Sequence, residues 1–253
     1  MIAMSSPALS LRPFQEALEF VARRFPAWEI VGEGQHFLPD IEKEFLELTP
    51  SFDLRYSAHT PLSDVNIGSL NPRMRRAALN EVLQSIAAAG RMGITPFTVH
   101  PGFLTPLGQL IKEGAWNATR ASLEEAEKAA REAGVTLALE NMPNMPISML
   151  TNPDDLMRML EGTELRVCWD IGHAHTTNNI KEYLPYWRRF ANVHIHDNDG
   201  RHDQHLPLGE GSIDFPPILQ RLKGYEGNFV IEARKVEGAE VSRLRLEKML
   251  SAV

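Results

Sequence analysis

Short strand-like runs alternate with longer helical segments along the whole chain. The eight strand candidates are IAMSS, WEIVGEG, LRYSAHT, TPFTVHPG, TLALENMP, RVCWDIGHAH, NVHIHDN and FVIEARK. Such alternation predicts a parallel sheet that is covered by helices. Eight units in 253 residues match the usual size of a (β/α)8 barrel. We therefore predict an α/β fold with a single TIM-barrel domain over residues 1–253, and a doubly wound open sheet is the alternative.

Two of the helical segments carry clear end signals. Asn71-Pro72 predicts a helix start, because an Asn side chain can accept hydrogen bonds from free N–H groups and proline suits the first helical position. Gly93 follows at the predicted end of this helix, and Gly134 ends the segment ASLEEAEKAAREAG. A helical period predicts the apolar stripe of the first helix as Met74, Ala78, Val82 and Ile86.

Composition disfavours several classes of protein. The net charge of −7 does not favour a broad basic surface for nucleic acid. Cys168 is the one cysteine, so the chain can form no internal disulfide, which is typical of a reducing compartment. No apolar run approaches the roughly 20 residues that span a bilayer, and the first residues lack the basic and apolar regions of a signal peptide. We expect a soluble cytoplasmic protein with no membrane partner.

Ionisable side chains recur at the carboxyl ends of the strand candidates. A barrel brings these ends together at one mouth, where its active site lies, whereas an open sheet spreads them along an edge. Nitrogen and oxygen donors in such number, without a set of thiolates, suit Zn²⁺ or Mn²⁺. Without a divalent ion, the carboxylates among them would repel one another. The candidate metal ligands are His59, His100, Glu140, Asp170, His173, His194, Asp203, His205 and Glu232.

Each candidate also has a purely structural interpretation. Glu232 could pair with Arg234, Asp170 could cap a following turn, and Asp203 could lie in a solvated loop. Recurrence at the same end of successive strands favours a shared metal site instead. Four further histidines are weaker candidates, namely His36, His175, His196 and His202.

The segment HIHDNDGRHDQHLPLGEG, residues 194–211, contains four histidines and three aspartates and is too polar to be buried as core. Strand alternation places His194 and His196 on the same face, so spacing alone leaves open which of them is a ligand. Cys168 stands two residues before Asp170, and we interpret it as a small packing residue of the barrel.

Seven short motifs extend over nearly the whole chain, namely SAHTP, TVHPG, LEN, DIGHAH, HIHD, DQH and IEA. They resemble the motifs of the xylose isomerase-like TIM-barrel superfamily, which includes sugar phosphate isomerases and epimerases and endonuclease IV, of AP endonuclease family 2. The isomerase and epimerase pattern implies four metal ligands, at Glu140, Asp170, His194 and Glu232. The endonuclease IV pattern contains these four and implies five more, at His59, His100, His173, Asp203 and His205. The resemblance also selects His194 rather than His196.

Two features depart from endonuclease IV. The segment after the second strand, GEGQHFLPD, is short, and Leu62 stands three residues after His59, where that family has Tyr. Both departures disfavour a DNA substrate and favour a compact one.

The resemblance leaves two reaction classes, and the short loops favour the first. This first class is a metal-dependent isomerase or epimerase of a small sugar or sugar phosphate, with Glu140 and Glu232 as the catalytic base and acid. The alternative is an endonuclease IV-like phosphodiesterase, for AP sites or related phosphoesters, with a di- or trinuclear zinc site. A barrel that binds metal without catalysis is the remaining alternative. We expect one to three divalent ions, zinc before manganese, and a small-molecule substrate, with nucleic acid as the disfavoured partner.

Overall fold

Eight parallel strands close into a barrel in chain order within residues 1–252, which the computed structural model describes. The strands are β1 (Ile2–Ser5), β2 (Ala27–Val31), β3 (Arg55–His59), β4 (Phe97–Val99), β5 (Leu137–Glu140), β6 (Arg166–Asp170), β7 (Phe190–Ile195) and β8 (Asn228–Glu232). The last strand pairs in parallel with the first, from Ile2 opposite Phe229 to Ser5 opposite Glu232. The predicted TIM barrel is therefore confirmed, and the open sheet is excluded.

Helices follow the strands and cover the outside of the barrel. They are α1 (Phe14–Ala22), α2 (Leu38–Leu48), α3 (Pro72–Met92), α4 (Pro106–Leu110), α5 (Lys112–Ala133), α6 (Pro153–Met159), α7 (Ile171–Thr176), α8 (Ile180–Tyr183), α9 (Phe215–Arg221) and α10 (Val236–Leu250). None of these helices combines the length and the apolar character that crossing a membrane requires.

The predicted ends of α3 are confirmed, and one member of its predicted apolar stripe is wrong. Oδ1 of Asn71 accepts hydrogen bonds from the N–H groups of Arg73 and Met74, at 3.0 and 3.3 Å. Gly93 ends the helix with φ of 68°, a left-handed conformation that favours glycine. Met74 is 62% exposed. Successive steps of four residues rotate by about 40° around a helix of 3.6 residues per turn, so Met74 turns away from the buried Ile86.

His36 lies in an aromatic cluster rather than among the metal-ligand candidates. Its ring is buried edge-on against Phe14 and Trp28, with ring centroids 5.7 and 5.6 Å apart. Its Nε2 lies 3.0 Å from the backbone oxygen of Arg12, to which the neutral ring donates. Burial lowers the pKa of His36 to about 4, so the folded chain favours the neutral ring.

We expect His36 to make the protein less stable in mild acid. Between pH 6.5 and 4 the imidazole of His36 is protonated in the unfolded chain but stays neutral in the folded chain. The free energy of unfolding therefore falls as the pH falls. The loss is about 2 to 3 kcal/mol for this residue. Urea denaturation at pH 7 and pH 4.5, with chelator present, should show a smaller difference for His36→Phe than for the wild type. The exposed His202→Gln should keep the wild-type difference, and an unchanged difference in His36→Phe would contradict the assignment.

Candidate metal centre

The carboxyl ends of the strands carry most of the predicted ligands to one mouth of the barrel. Five of them end or nearly end a strand, namely His59 on β3, Glu140 on β5, Asp170 on β6, His194 on β7 and Glu232 on β8. His100 follows β4 directly, and His173 lies in α7, which begins immediately after β6. Asp203 and His205 lie in the loop after β7. Because parallel strands in a barrel all end at the same rim, these side chains converge.

The nine predicted ligands fall into three groups, within each of which the donor atoms lie within 4.8 Å of one another. We call them the β3–β5 group (His59, His100 and Glu140), the β5–β8 group (Glu140, Asp170, His194 and Glu232) and the loop group (His173, Asp203 and His205, with His196).

Glu140 belongs to two of the groups. Its Oε2 lies 3.1 Å from Nε2 of His59 and 3.0 Å from Nε2 of His100. Its Oε1 lies 3.2 Å from Nδ1 of His194, and Oε1 of Glu232 approaches the same nitrogen at 3.1 Å. One carboxylate therefore connects the β3–β5 and β5–β8 groups.

Two of the histidines are held from behind by backbone oxygens. Nδ1 of His59 lies 2.8 Å from the carbonyl oxygen of Thr60, and Nδ1 of His173 lies 2.8 Å from that of Asn141. A ring that donates from Nδ1 keeps the lone pair of Nε2 for a metal ion, which is the usual arrangement of a ligating histidine.

A buried carboxylate that the sequence analysis did not single out forms an ion-pair contact with His194. Oε1 of Glu29, on β2, lies 3.0 Å from Nε2 of His194. Its Oε2 accepts hydrogen bonds from Nδ2 of Asn192 at 2.6 Å and from Oγ of Ser57 at 3.3 Å. Glu29 thus turns Nδ1 of His194 towards the two glutamates of the β5–β8 group. A carboxylate inside the apolar run WEIV was the available sequence signal.

Unpaired oxygens in the centre fit a metal ion. Oδ1 of Asp170 accepts from the backbone N–H of His173 at 2.6 Å and lies 3.2 Å from Nε2 of His196. Oδ2 of Asp170 and Oδ1 of Asp203 are buried without a hydrogen-bond partner in the described part of the chain. A buried oxygen without a partner is costly, and coordination of a cation would satisfy it.

His196 lies within the loop group but its orientation favours a supporting role. Its ring stacks on that of His205, with centroids 3.8 Å apart and planes 13° apart. Two parallel stacked imidazoles cannot both direct their in-plane lone pairs at one ion. Nε2 of His196 also lies 3.2 Å from Oδ1 of Asp170, beside the β5–β8 group.

The loop that carries two of the predicted ligands is anchored by Asp197. Its backbone pairs with Leu206 in both directions, at 2.8 and 2.9 Å. Its Oδ1 accepts from the N–H groups of Asn198 and Ile213, and its Oδ2 from that of Gly209. His205 lies within this loop with φ of 50°, a strained backbone conformation for a residue other than glycine.

The centre is rich in negative charge and poor in basic side chains. The guanidinium of Arg234 lies 3.7 Å from Oδ2 of Asp203 and is largely exposed. Burial would lower the pKa of His173, but Asp170 and Asp203 raise it well above its ordinary value. Burial would raise the pKa of Glu140, but His194 and other imidazoles hold it well below its ordinary value. Protons and metal ions therefore compete for the same nitrogen atoms.

The other two weaker histidine candidates, His175 and His202, belong to none of the three donor groups. His175 contacts Ser212 and His202 contacts Asp199, both at partly or fully exposed positions. Sγ of Cys168 lies near Glu140 and His194, but burial raises the pKa of this thiol well above its ordinary value. Such a buried thiol is typical of a packing residue.

A cavity of about 530 Å³ opens at this mouth of the barrel. Donor residues from all three groups line it, namely His59, His100, Glu140, His173, Asp203, His205 and Glu232. A pocket of this size, with converging polar groups, is typical of a small-molecule site.

Residues 18–249 match the model of the family described as xylose isomerase-like TIM barrel. The chain belongs to this family. The protein MJ1311 of Methanocaldococcus jannaschii is 33% identical over 239 residues, which cover 90% of this chain and 82% of that protein. The resemblance seen in the sequence motifs is thus confirmed at the level of the xylose isomerase-like family.

Solved structures include both branches that the motifs resemble. A D-tagatose 3-epimerase-like protein is 31% identical, with a TM-score of 0.93 over 100% of this chain and 98% of that one. Endonuclease IV from Thermus thermophilus is 20% identical, with a TM-score of 0.71 over 100% of this chain and 98% of that one. At that identity, the second similarity shows a shared fold only.

Proposed function

We propose that this protein is a metal-dependent isomerase or epimerase of a small sugar or sugar phosphate. The observation that carries the proposal is the pair Glu140 and Glu232, which flank Nδ1 of His194 at 3.2 and 3.1 Å beside a cavity of small-molecule size. Similarity to the D-tagatose 3-epimerase-like protein supports the same class of reaction.

The donor set of the β5–β8 group suits a divalent ion, with zinc preferred and manganese the alternative. Three carboxylates and one imidazole would hold it, through the residues Glu140, Asp170, His194 and Glu232. An ion bound there would supply Lewis acidity towards the vicinal oxygens of a sugar.

The two glutamates are suited to different parts of a proton transfer. Both oxygens of Glu140 contact imidazoles within 3.2 Å. Glu232 lines the cavity, and its Oε2 lies 3.7 Å from Nδ1 of His205, beyond hydrogen-bond distance. Its freer oxygen makes Glu232 the stronger candidate to remove a proton from the substrate carbon, and Glu140, from β5, would return one.

The number of bound ions would set the charge that the substrate meets. The three groups contain four carboxylates, those of Glu140, Asp170, Asp203 and Glu232. Two divalent ions would balance these charges, whereas three would leave the centre positive and favourable to a phosphate. A trinuclear centre would therefore favour a sugar phosphate over a neutral sugar.

A phosphodiesterase similar to endonuclease IV is the second candidate. The presence of all three donor groups favours it, since several ions can hold a phosphate and stabilise a leaving oxygen. Leu62, where the endonuclease IV pattern has Tyr, and the cavity volume of about 530 Å³ favour a smaller substrate. A metal-binding barrel without catalysis is the third.

Incubation in deuterated water tests the proposal. Protein loaded with Zn²⁺ or Mn²⁺ should transfer deuterium to one carbon of a sugar or sugar phosphate from a panel of aldoses, ketoses and their phosphates. Proton abstraction next to a carbonyl exchanges that hydrogen with solvent. Treatment with a chelator should abolish the exchange, and the metal should restore it. Absence of exchange across the panel, together with cleavage of a duplex that contains an abasic site, would establish the second candidate instead.

A further inference from the structure

One part of the cavity lining is apolar. The segments that follow β3, β4 and β5 contribute six side chains, which we call the apolar wall, namely Leu62, Val65, Phe103, Met142, Met145 and Ile147. Met145 and Ile147 are 47% and 41% exposed. Large apolar side chains that line a cavity and remain this exposed are typical of a surface that a ligand covers.

The wall offers few hydrogen-bond donors to a ligand, because four of its six backbone N–H groups already donate within the chain. The N–H of Leu62 donates to Oε1 of Glu33 at 2.6 Å. Those of Met142 and Met145 donate to the carbonyl oxygens of Leu150 and Pro143, at 3.2 and 2.8 Å.

The backbone N–H of Phe103 and the polar groups of Ser63 are also engaged in hydrogen bonds within the chain. The N–H of Phe103 donates to Oδ1 of Asn66 at 3.0 Å. The N–H and the hydroxyl of Ser63 both contact the carboxylate of Glu33, the hydroxyl at 2.7 Å. A sugar hydroxyl placed against this wall would lose water and find few free donors in exchange.

A free sugar carries a hydroxyl on almost every carbon and therefore matches the part of the cavity that the donor groups line better than the apolar wall. A methylene group placed against the wall has the opposite effect, because removing its apolar surface from water favours binding. Partial burial of one methylene group strengthens binding about twofold, and complete burial strengthens it about fourfold.

We infer that the substrate carries an apolar substituent, aliphatic or aromatic, beside the vicinal oxygens that face the donor groups. The oxygen-bearing end lies against the donor groups, and the substituent packs on the apolar wall. This inference rests on the proposed function, because it takes the donor groups as the site of the reacting end.

A series of 2-hydroxy carboxylates tests the inference by calorimetry on the Zn²⁺-loaded protein. Affinity should rise from glycolate through 2-hydroxybutanoate to 2-hydroxyhexanoate, by more than tenfold over the series. The decisive pair is 2-hydroxybutanoate and 2,3,4-trihydroxybutanoate, which share a carbon skeleton. The first should bind more tightly if the wall selects an apolar group. Comparison of 2-hydroxyhexanoate with 3-phenyllactate then separates an aliphatic from an aromatic substituent.

Variants of wall residues test whether the rise in affinity along the series arises at the apolar wall. Met142→Ser and Phe103→Ser should each reduce the rise along the series while leaving the affinity for glycolate within about twofold, because glycolate does not reach the wall. Leu110→Ser is the matched control, since Leu110 is 84% exposed and lies outside the cavity lining.

The outcomes separate the inference from the proposed function. Failure of every acid in the series to bind would overturn the inference, whereas absence of deuterium exchange into any sugar would overturn the proposed function. Glycolate binding without any rise along the series, or with tighter binding of the trihydroxy acid, would overturn the inference alone. An equal loss in Leu110→Ser and in the wall variants would also overturn it, because the gain would then not arise at the wall.

Discussion

Glu232→Gln slows solvent-deuterium exchange into the substrate by about two to four orders of magnitude, the usual contribution of a general base. Glu140→Gln has an effect of similar size. The amide keeps the shape of the carboxylate but can neither accept nor return the proton. Mass spectrometry of the recovered sugar measures the exchange rate for the wild type and both variants.

Metal content must be measured on the same samples, because both glutamates are also candidate ligands. A slow variant that retains its metal places the loss in proton transfer. Glu226→Gln is the control, since this exposed residue precedes β8 at the opposite end of the strand. A wild-type exchange rate in metal-loaded Glu232→Gln would remove this residue from the reaction.

The double variant Asp203→Ala, His205→Ala loses the metal ion of the loop group and keeps the ion of the β5–β8 group. Oδ2 of Asp203 lies 2.9 Å from Nε2 of His205, and the two residues supply two of the candidate donors of the loop group. The β5–β8 ligands come from β5 to β8 and do not depend on them. Elemental analysis of zinc-replete protein should show one ion fewer per chain.

The same loop provides a matched control for this experiment. Asp199 and His202 form a second carboxylate–imidazole pair, 3.3 Å apart, at exposed positions. Asp199→Ala, His202→Ala should leave the metal content unchanged. A wild-type chain that binds a single ion in excess zinc would contradict a multinuclear centre, because nine donors exceed what one ion of four to six ligands can use.

Residues at strand ends were the predictable part of the site, because the barrel rule fixes where they meet. Runs such as LALE and RVCWD end in a carboxylate, and the closed barrel brings Glu140 and Asp170 into one group. Position along a strand does not show which atoms face each other. The division of Glu140 between two groups, one at each oxygen, was therefore not available from the sequence.

The supporting residues could not be predicted in the same way. Glu29 lies in the middle of a strand, where an apolar core residue is expected, and its partner His194 is 165 positions away. His196 shares a face with His194, as strand alternation predicts. Its stacking on His205 depends on the path of the loop after β7, which no periodic pattern describes.

Two sets of hydrogen bonds shape the loop after β7, and the smaller set lies within the span of the larger. Asp197 closes the outer ring through Leu206 and Gly209, while Asp199 caps its own small turn through the N–H groups of Arg201 and His202. Residues 199–202 form the tip of the loop, and the outer closure does not involve them. We therefore expect an exchange of the tip side chains to leave Asp203 and His205, which follow the tip, in their places.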